Sequence, residues 1–142
     1  MSSLIQAMKI AGSSLRAQRA RMNTISSNLA NAETTKTPEG GPYKRLDPVF
    51  QAVPMRFDEQ LGQLGAVEEV EVSAILEDQK PARLVYDPNH PDADQKGYVA
   101  MPNVNVVQEM VDMVSASRSY EASTSSIRAA KTMARAALDI TG

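Results

Sequence analysis

The sequence predicts a mainly α fold: an antiparallel pair of long N- and C-terminal helices, coiled-coil-like in pattern, with a small β-hairpin-containing middle region. Three observations carry this expectation. Apolar residues recur with heptad spacing at each end of the 142-residue chain, all eight prolines fall between Pro38 and Pro102, and aromatics make up only 4% of the composition with no Trp. An interior without large rings must be built from Leu, Val, Ile, Met and Ala, a palette suited to helix seams rather than sandwiches.

The first element is a helix from about Leu4 to Asn31. Leu4, Met8, Ala11, Leu15, Met22, Ile25 and Leu29 step by four and three, with Gln18 the one polar member of the series. A strand would alternate with period two, and the stretch lacks proline, so a helix about 42 Å long is expected. Asn28 and Asn31 stand near its end, where Asn tolerates left-handed backbone and bonds helix-end carbonyls. Contact with another subunit is the alternative role for both.

The last element is a helix from Val104 to Leu138, started by Pro102 and Asn103. Its expected seam runs through Val106, Met110, Met113, Ser117, Tyr120, Thr124, Ile127, Lys131, Ala134 and Leu138, and Val107, Val111 and Val114 widen it. A stripe that broad exceeds what a two-stranded coil covers and implies more than one partner helix. Six large seam residues set against 28 ordered backbones also leave the first helix short of burial unless neighbours cover further faces. The candidate packing and assembly residues are therefore Leu4, Met8, Leu15, Met22, Ile25, Asn28, Leu29, Asn31, Val106, Val107, Met110, Val114, Tyr120, Ile127 and Leu138.

Domain organisation follows: residues 1–33 and 103–142 make one helical unit, and residues 34–102 a loop and strand region. Within the middle, Val70 to Leu76 and Arg83 to Tyr86 flank five turn-like residues and are expected to pair as a hairpin. Pro48 to Val53 and Tyr98 to Met101 are further strand candidates.

Charge is segregated. Residues 1–31 carry Lys9, Arg16, Arg19 and Arg21 and no acid, whereas residues 32–103 carry 7 basic and 13 acidic side chains. The basic flank is expected to face acids such as Glu109, Asp112 or Glu121 of this or another subunit; a nucleic-acid arm or transit peptide would not need a heptad register matched a hundred residues away.

Catalysis finds no support. There is no Cys, one His, no glycine-rich phosphate loop and no G-x-S-x-G elbow. Asp92 to Gly97 begins like a calcium loop, but Lys96 takes a ligand position and the twelfth residue is Asn103, so turn formation is the expected role. No enzyme, cofactor, metal, nucleic acid or small-molecule substrate is expected. No run of about 18 apolar residues exists, and the N-terminus lacks the apolar core of a cleavable signal peptide.

Ile25-Ser26-Ser27-Asn28-Leu29-Ala30-Asn31-Ala32-Glu33-Thr34 resembles the N-terminal signature of the flagellar rod and hook axial proteins. Pro102 to Val111 and Ser117 to Ala122 resemble their C-terminal one. The short middle, with Gly40 to Arg45, Asp87 to Asp94 and Gly97 to Pro102, is similar to that of proximal rod members, hook and distal rod members having much larger middles. Ser123 departs from the pattern where Asn is common, and the Thr34 to Pro42 loop replaces the usual Gly-Tyr. The resemblance implies a torque-bearing subunit that packs helically with its own copies and other rod proteins around an export channel. The inner-membrane ring and the ring-complex bushing would be indirect neighbours, and export would use the flagellar secretion apparatus. A helical adaptor or a component of a related secretion apparatus is the alternative.

Overall fold

The computed structural model describes residues 2–54 and 68–141; residues 55–67, within the expected loop and strand region, lie outside the described residues. Among those described, two helices carry most of the regular structure and four strands form two small antiparallel sheets. Helix α1 spans Ser2–Ala30, strands β1 to β4 span Leu46–Pro54, Glu68–Glu77, Arg83–Tyr86 and Tyr98–Met101, and helix α2 spans Val106–Thr141.

Helix ends follow local chemistry. Asn31 donates through Nδ2 to the Ser27 carbonyl at 2.9 Å, satisfying a last-turn acceptor, and Thr34 Oγ1 donates to Asn31 Oδ1 at 3.1 Å. Gly40 and Gly41 then turn the chain with φ of 92° and 78°, values that glycine adopts without steric cost. At the start of α2 the cap is Asn105, not Asn103. Its Oδ1 accepts from Gln108 N–H at 3.2 Å and its carbonyl takes the first helical bond, from Glu109 N–H at 2.9 Å.

The helices pack against each other in antiparallel fashion: Ser14 meets Ser123 at 3.0 Å, Arg21 meets Asp112 at 3.4 Å, and Asn28 meets Glu109 at 3.1 Å. The line of burial differs from the expected seam. Along α2 it runs through Glu109, Met113, Ala116, Tyr120, Ser123, Ile127, Ala130 and Ala134, while Val106, Met110 and Leu138 are exposed. Along α1 the buried positions are Ser13, Ala17, Thr24, Ile25 and Asn28. Leu4, Leu15, Met22 and Leu29 are half-buried, and Met8 is exposed. Small side chains win the seam because they let backbones approach. Several helix hydroxyls fold back onto carbonyls one turn earlier, as Thr24 does onto Ala20 and Ser123 onto Ser119, so they enter it already paired.

The expected hairpin between Val70–Leu76 and Arg83–Tyr86 does not form. β2 pairs with β1 over nine positions, from Leu46 opposite Glu77 to Pro54 opposite Glu68, with a register shift between Val49 and Phe50. β3 pairs with β4, Arg83 opposite Met101 and Tyr86 opposite Tyr98. Length decides this: the ten-residue β2 fills nine pairings with β1 but at most four with β3. Pro81 also lacks an N–H at the mouth of the expected hairpin.

The β1–β2 ribbon lies along α1, whose side chains cap its backbone. Asn28 bonds both main-chain groups of Leu46, and Ser13 Oγ accepts from Val70 N–H at 3.2 Å. Cross-strand partners share a face: Phe50 with Val72 and Ala52 with Val70 lie on one side of the ribbon, and Gln51 with Glu71 and Val53 with Glu69 on the other.

Candidate assembly surfaces and a buried polar node

Four elements converge on one side chain. Asn28 is 1% exposed, and each end of its amide makes two hydrogen bonds. Nδ2 donates to the Leu46 carbonyl at 2.9 Å and to Glu109 Oε2 at 3.1 Å. Oδ1 accepts from Leu46 N–H at 2.9 Å and from the Tyr43 hydroxyl at 3.0 Å. An Asn amide has two donors and two acceptor lone pairs, so this one is fully used.

Glu109 is fully buried, and its second oxygen, Oε1, accepts from Arg45 Nε at 2.6 Å. Burial opposes the charge on Arg45, yet the hydrogen bond and charge of Glu109, with Asp47 and Asp78 nearby, outweigh it and hold the guanidinium above its ordinary value. Burial, and then the Glu109 charge, raise the Tyr43 phenol above 10.0 against a lowering pull from Arg45. A carboxylate and a guanidinium held by several further hydrogen bonds fix the relative placement of α1, β1 and α2.

This node joins Asn28 from the candidate set to three residues that periodicity did not single out as a unit: Tyr43, Arg45 and Glu109. Asn28 does not end the helix; its amide stands in for a strand partner of Leu46 while Asn31 supplies the terminal bond. The usable signal was polarity at a seam position. Glu109 falls one helical position away from the apolar stripe, where a charged residue is otherwise assigned to solvent.

The remaining large apolar residues lie outside. Val106, Val107, Met110, Val111 and Val114 form an exposed stripe on the first turns of α2, with Val107 72% and Val111 58% exposed. Met110, Val111 and Val114, with Arg118, line a shallow groove there. Ile5, Met8 and Ile10 are exposed on α1, where Ile5 and Met8 line a second groove with Val53 and Pro54. Met133 and Leu138 are exposed towards the end of α2, and Leu84, Tyr86 and Tyr98 on the second ribbon. Among the described residues, buried apolar side chains are by contrast mostly small: Ala17, Ala32, Ala116 and Ala130, with Ile25, Val99 and Pro102 larger. Contiguous apolar stripes on this scale mark interaction sites. Arg21 reaches Asp112 within the chain, as the segregated charge anticipated, and Tyr120 and Ile127 are half-buried on the helix seam.

The Asp-rich loop is internally satisfied. Asp94 Oδ1 accepts from Lys96 and Tyr98 N–H, His90 Nδ1 accepts from Asp92 N–H, and Thr35 Oγ1 donates to Asp92 at 2.7 Å. These are turn and loop-docking contacts.

Known proteins match these two helices and the region between them. The family model described as flagella basal body rod protein matches residues 8–36, and that described as flagellar basal body rod FlgEFG protein C-terminal matches residues 95–140. The flagellar basal-body rod protein FlgC of Borreliella burgdorferi is 43% identical, covering 96% of this chain and 97% of its own length. Its namesake from Salmonella typhimurium is 46% identical over 92% of each chain, and that from Bacillus subtilis 43% identical over 94% of this chain and 95% of its own. Nearly end-to-end identity at this level, joined to terminal helices that turn their large apolar residues outward, shows that the chain belongs to the FlgC family of flagellar basal-body rod proteins and is a structural subunit of the proximal rod.

Proposed function

We propose that this subunit completes its fold by assembly: copies pack helically with one another and with other rod proteins around the central export channel, helices along the axis. The rod so formed carries torque from the inner-membrane ring toward the hook. One observation carries the reading, the inversion in which small and polar residues fill the intrachain seam while Val107, Val111, Met110 and Val114 stand exposed. Such side chains are stabilised when neighbouring helices cover them, each contributing about 1.5–3 kcal/mol on full burial. The assembled helices then meet in coiled-coil-like fashion through several faces, and close-packed interfaces of this kind resist shear because packed interiors have low compressibility.

In this reading Leu4, Met8, Leu15, Met22, Val106, Val107, Met110, Val114 and Leu138 meet neighbouring subunits, while Ile25, Asn28, Leu29, Asn31, Tyr120 and Ile127 hold the subunit's own helices and loops. The ring and bushing are indirect neighbours. The chain reaches its site through the flagellar secretion apparatus. The test is the double substitution Val107→Asp and Val111→Asp. The purified variant should keep the helicity and melting behaviour of the parent, and cells carrying it should not swim; swimming cells would contradict the proposal.

A further inference from the structure

The chain has eight methionines and no Cys, so the thioether is its only form of sulfur and no thiol competes with it for an oxidant. Six of the eight lie among the described residues, and the fold sorts them into two classes. Met8, Met110 and Met133 are exposed, at 40%, 56% and 59%, whereas Met22, Met101 and Met113 are half-buried. The sharpest contrast is between Met110 and Met113, about one turn apart on the same helix. Met113 lies on the seam with α1, and Met110 stands in the outward groove with Val111, Val114 and Arg118. The rest of the exposed stripe is inert: Val106, Val107, Val111 and Val114 carry no group that a mild oxidant converts. Met110 is therefore the member of the stripe whose polarity can be changed covalently.

We propose that Met110 is an oxidation site, at which a peroxide-class oxidant blocks incorporation of the free subunit. The inference rests on the assembly reading above and adds a chemical control to it. In the step, a lone pair of the Met110 sulfur attacks one oxygen of hydrogen peroxide, and an S–O bond forms as the O–O bond breaks. The departing hydroxide takes the proton left on the transferred oxygen and leaves as water. Sulfur loses two electrons and peroxide gains them. The sulfoxide is polar where the thioether was apolar, and its oxygen needs a hydrogen bond wherever it is buried, which a neighbour that covers valines with apolar side chains does not supply. In the free chain the guanidinium of Arg118, lining the same groove, is a donor for that oxygen, so the oxidised side chain is satisfied in solvent and resists burial. Because Met110 lies outside the intrachain seam, the oxidised subunit keeps its own fold. Assembly in turn shields the sulfur, so the sensitivity belongs to the subunit before incorporation.

The experiment is peptide mapping by mass spectrometry of the purified full chain and of isolated basal bodies, each exposed to hydrogen peroxide for increasing times. In the free chain Met110 should gain oxygen on the order of tenfold faster than Met113, with the helicity of the oxidised chain unchanged, and in basal bodies that lead should vanish. Met110→Gln supplies a polar, unbranched side chain of similar length and helix propensity, and cells carrying it should lose swimming. Met110→Leu stays apolar at similar volume and has no sulfur to oxidise, and cells carrying it should swim like the parent. The proposal is overturned if Met110 reacts no faster than Met113 in the free chain, if it reacts as fast in basal bodies as in the free chain, if oxidation unfolds the helices, or if the Met110→Gln cells swim like the parent. Any of these results, with the Val107 and Val111 double variant still non-motile, removes the oxidation site and keeps the assembly reading; swimming cells with that double variant remove the reading itself.

Discussion

The two ends of the helix pair are built by opposite means. Where α1 ends and α2 begins, buried Asn28 and Glu109 and half-buried Arg45 and Tyr43 tie helices, loop and strand through charged and amide hydrogen bonds. Where α1 begins and α2 ends, the helices touch through Ala130, Ile127 and the Ser14–Ser123 contact, and Ile5, Met8, Met133 and Leu138 face outward. The first end closes its inward side within one chain, while Val107, Val111 and Val114 on the outward side of α2 still face solvent there. The second presents surfaces that another chain completes. A subunit that polymerises benefits from the contrast: a fixed node sets the geometry of the pair, and an unsatisfied end keeps the free chain from being a finished object.

Substitutions at the node should break the contrast most strongly. Glu109→Leu leaves the buried Asn28 amide short of a partner and takes from half-buried Arg45 its closest carboxylate, leaving Asp47 at 3.7 Å, and should destabilise the chain by about 3 kcal/mol in urea unfolding. Asn28→Ala removes four hydrogen bonds and leaves the backbone groups of Leu46 without their partner, a loss of about 2 kcal/mol by the same measurement. Both should leave the exposed α2 stripe unchanged, so residual folded protein would still assemble.

Ala116→Leu sharpens the comparison from the packing side. Ala116 is fully buried between the helices, so three further carbons must force them apart, at a cost of about 1–3 kcal/mol in thermal unfolding. Alkaline titration has the smallest effect. The Tyr43 pKa is raised in the folded chain, so the native state prefers the neutral phenol; its contribution is intact below pH 10.0 and is lost as pH rises through the folded value. Phenolate absorbance should show Tyr43 ionising later in the native chain than in urea, and Tyr43→Phe should remove that part of the alkaline destabilisation.

How much of this was legible in the sequence varies by feature. Both helices were, because a 3.5-residue period over four or more turns admits no strand. All four strand segments were visible, β2 by its alternation and the others as short apolar stretches, but their partners were not. Pairing depends on which long strand offers the most matched backbone, and β1 and β2 are separated by thirteen residues that carry no hairpin signature. The α2 seam was half legible. Met113, Tyr120, Ile127 and Ala134 belong to it, while the valine stripe drew the other half of the expected register one position away from Glu109, Ala116, Ser123 and Ala130. The rule that apolar faces point inward fails where a chain's interior is shared with other copies. The Asn28–Glu109 node was hidden for a related reason: its members are polar, and only the fold brings residues 81 positions apart into hydrogen-bond distance.

Hydrogen exchange on the purified, unassembled chain distinguishes a subunit finished by assembly from one finished alone. Exchange should be slow from Thr24 to Asn31 and over the first turns of α2, around the node, and fast from Leu4 to Gly12 and beyond Ile127, with protection of those outer segments appearing only in isolated basal bodies. Full protection from Leu4 to Asn31 in the free monomer would contradict completion by assembly.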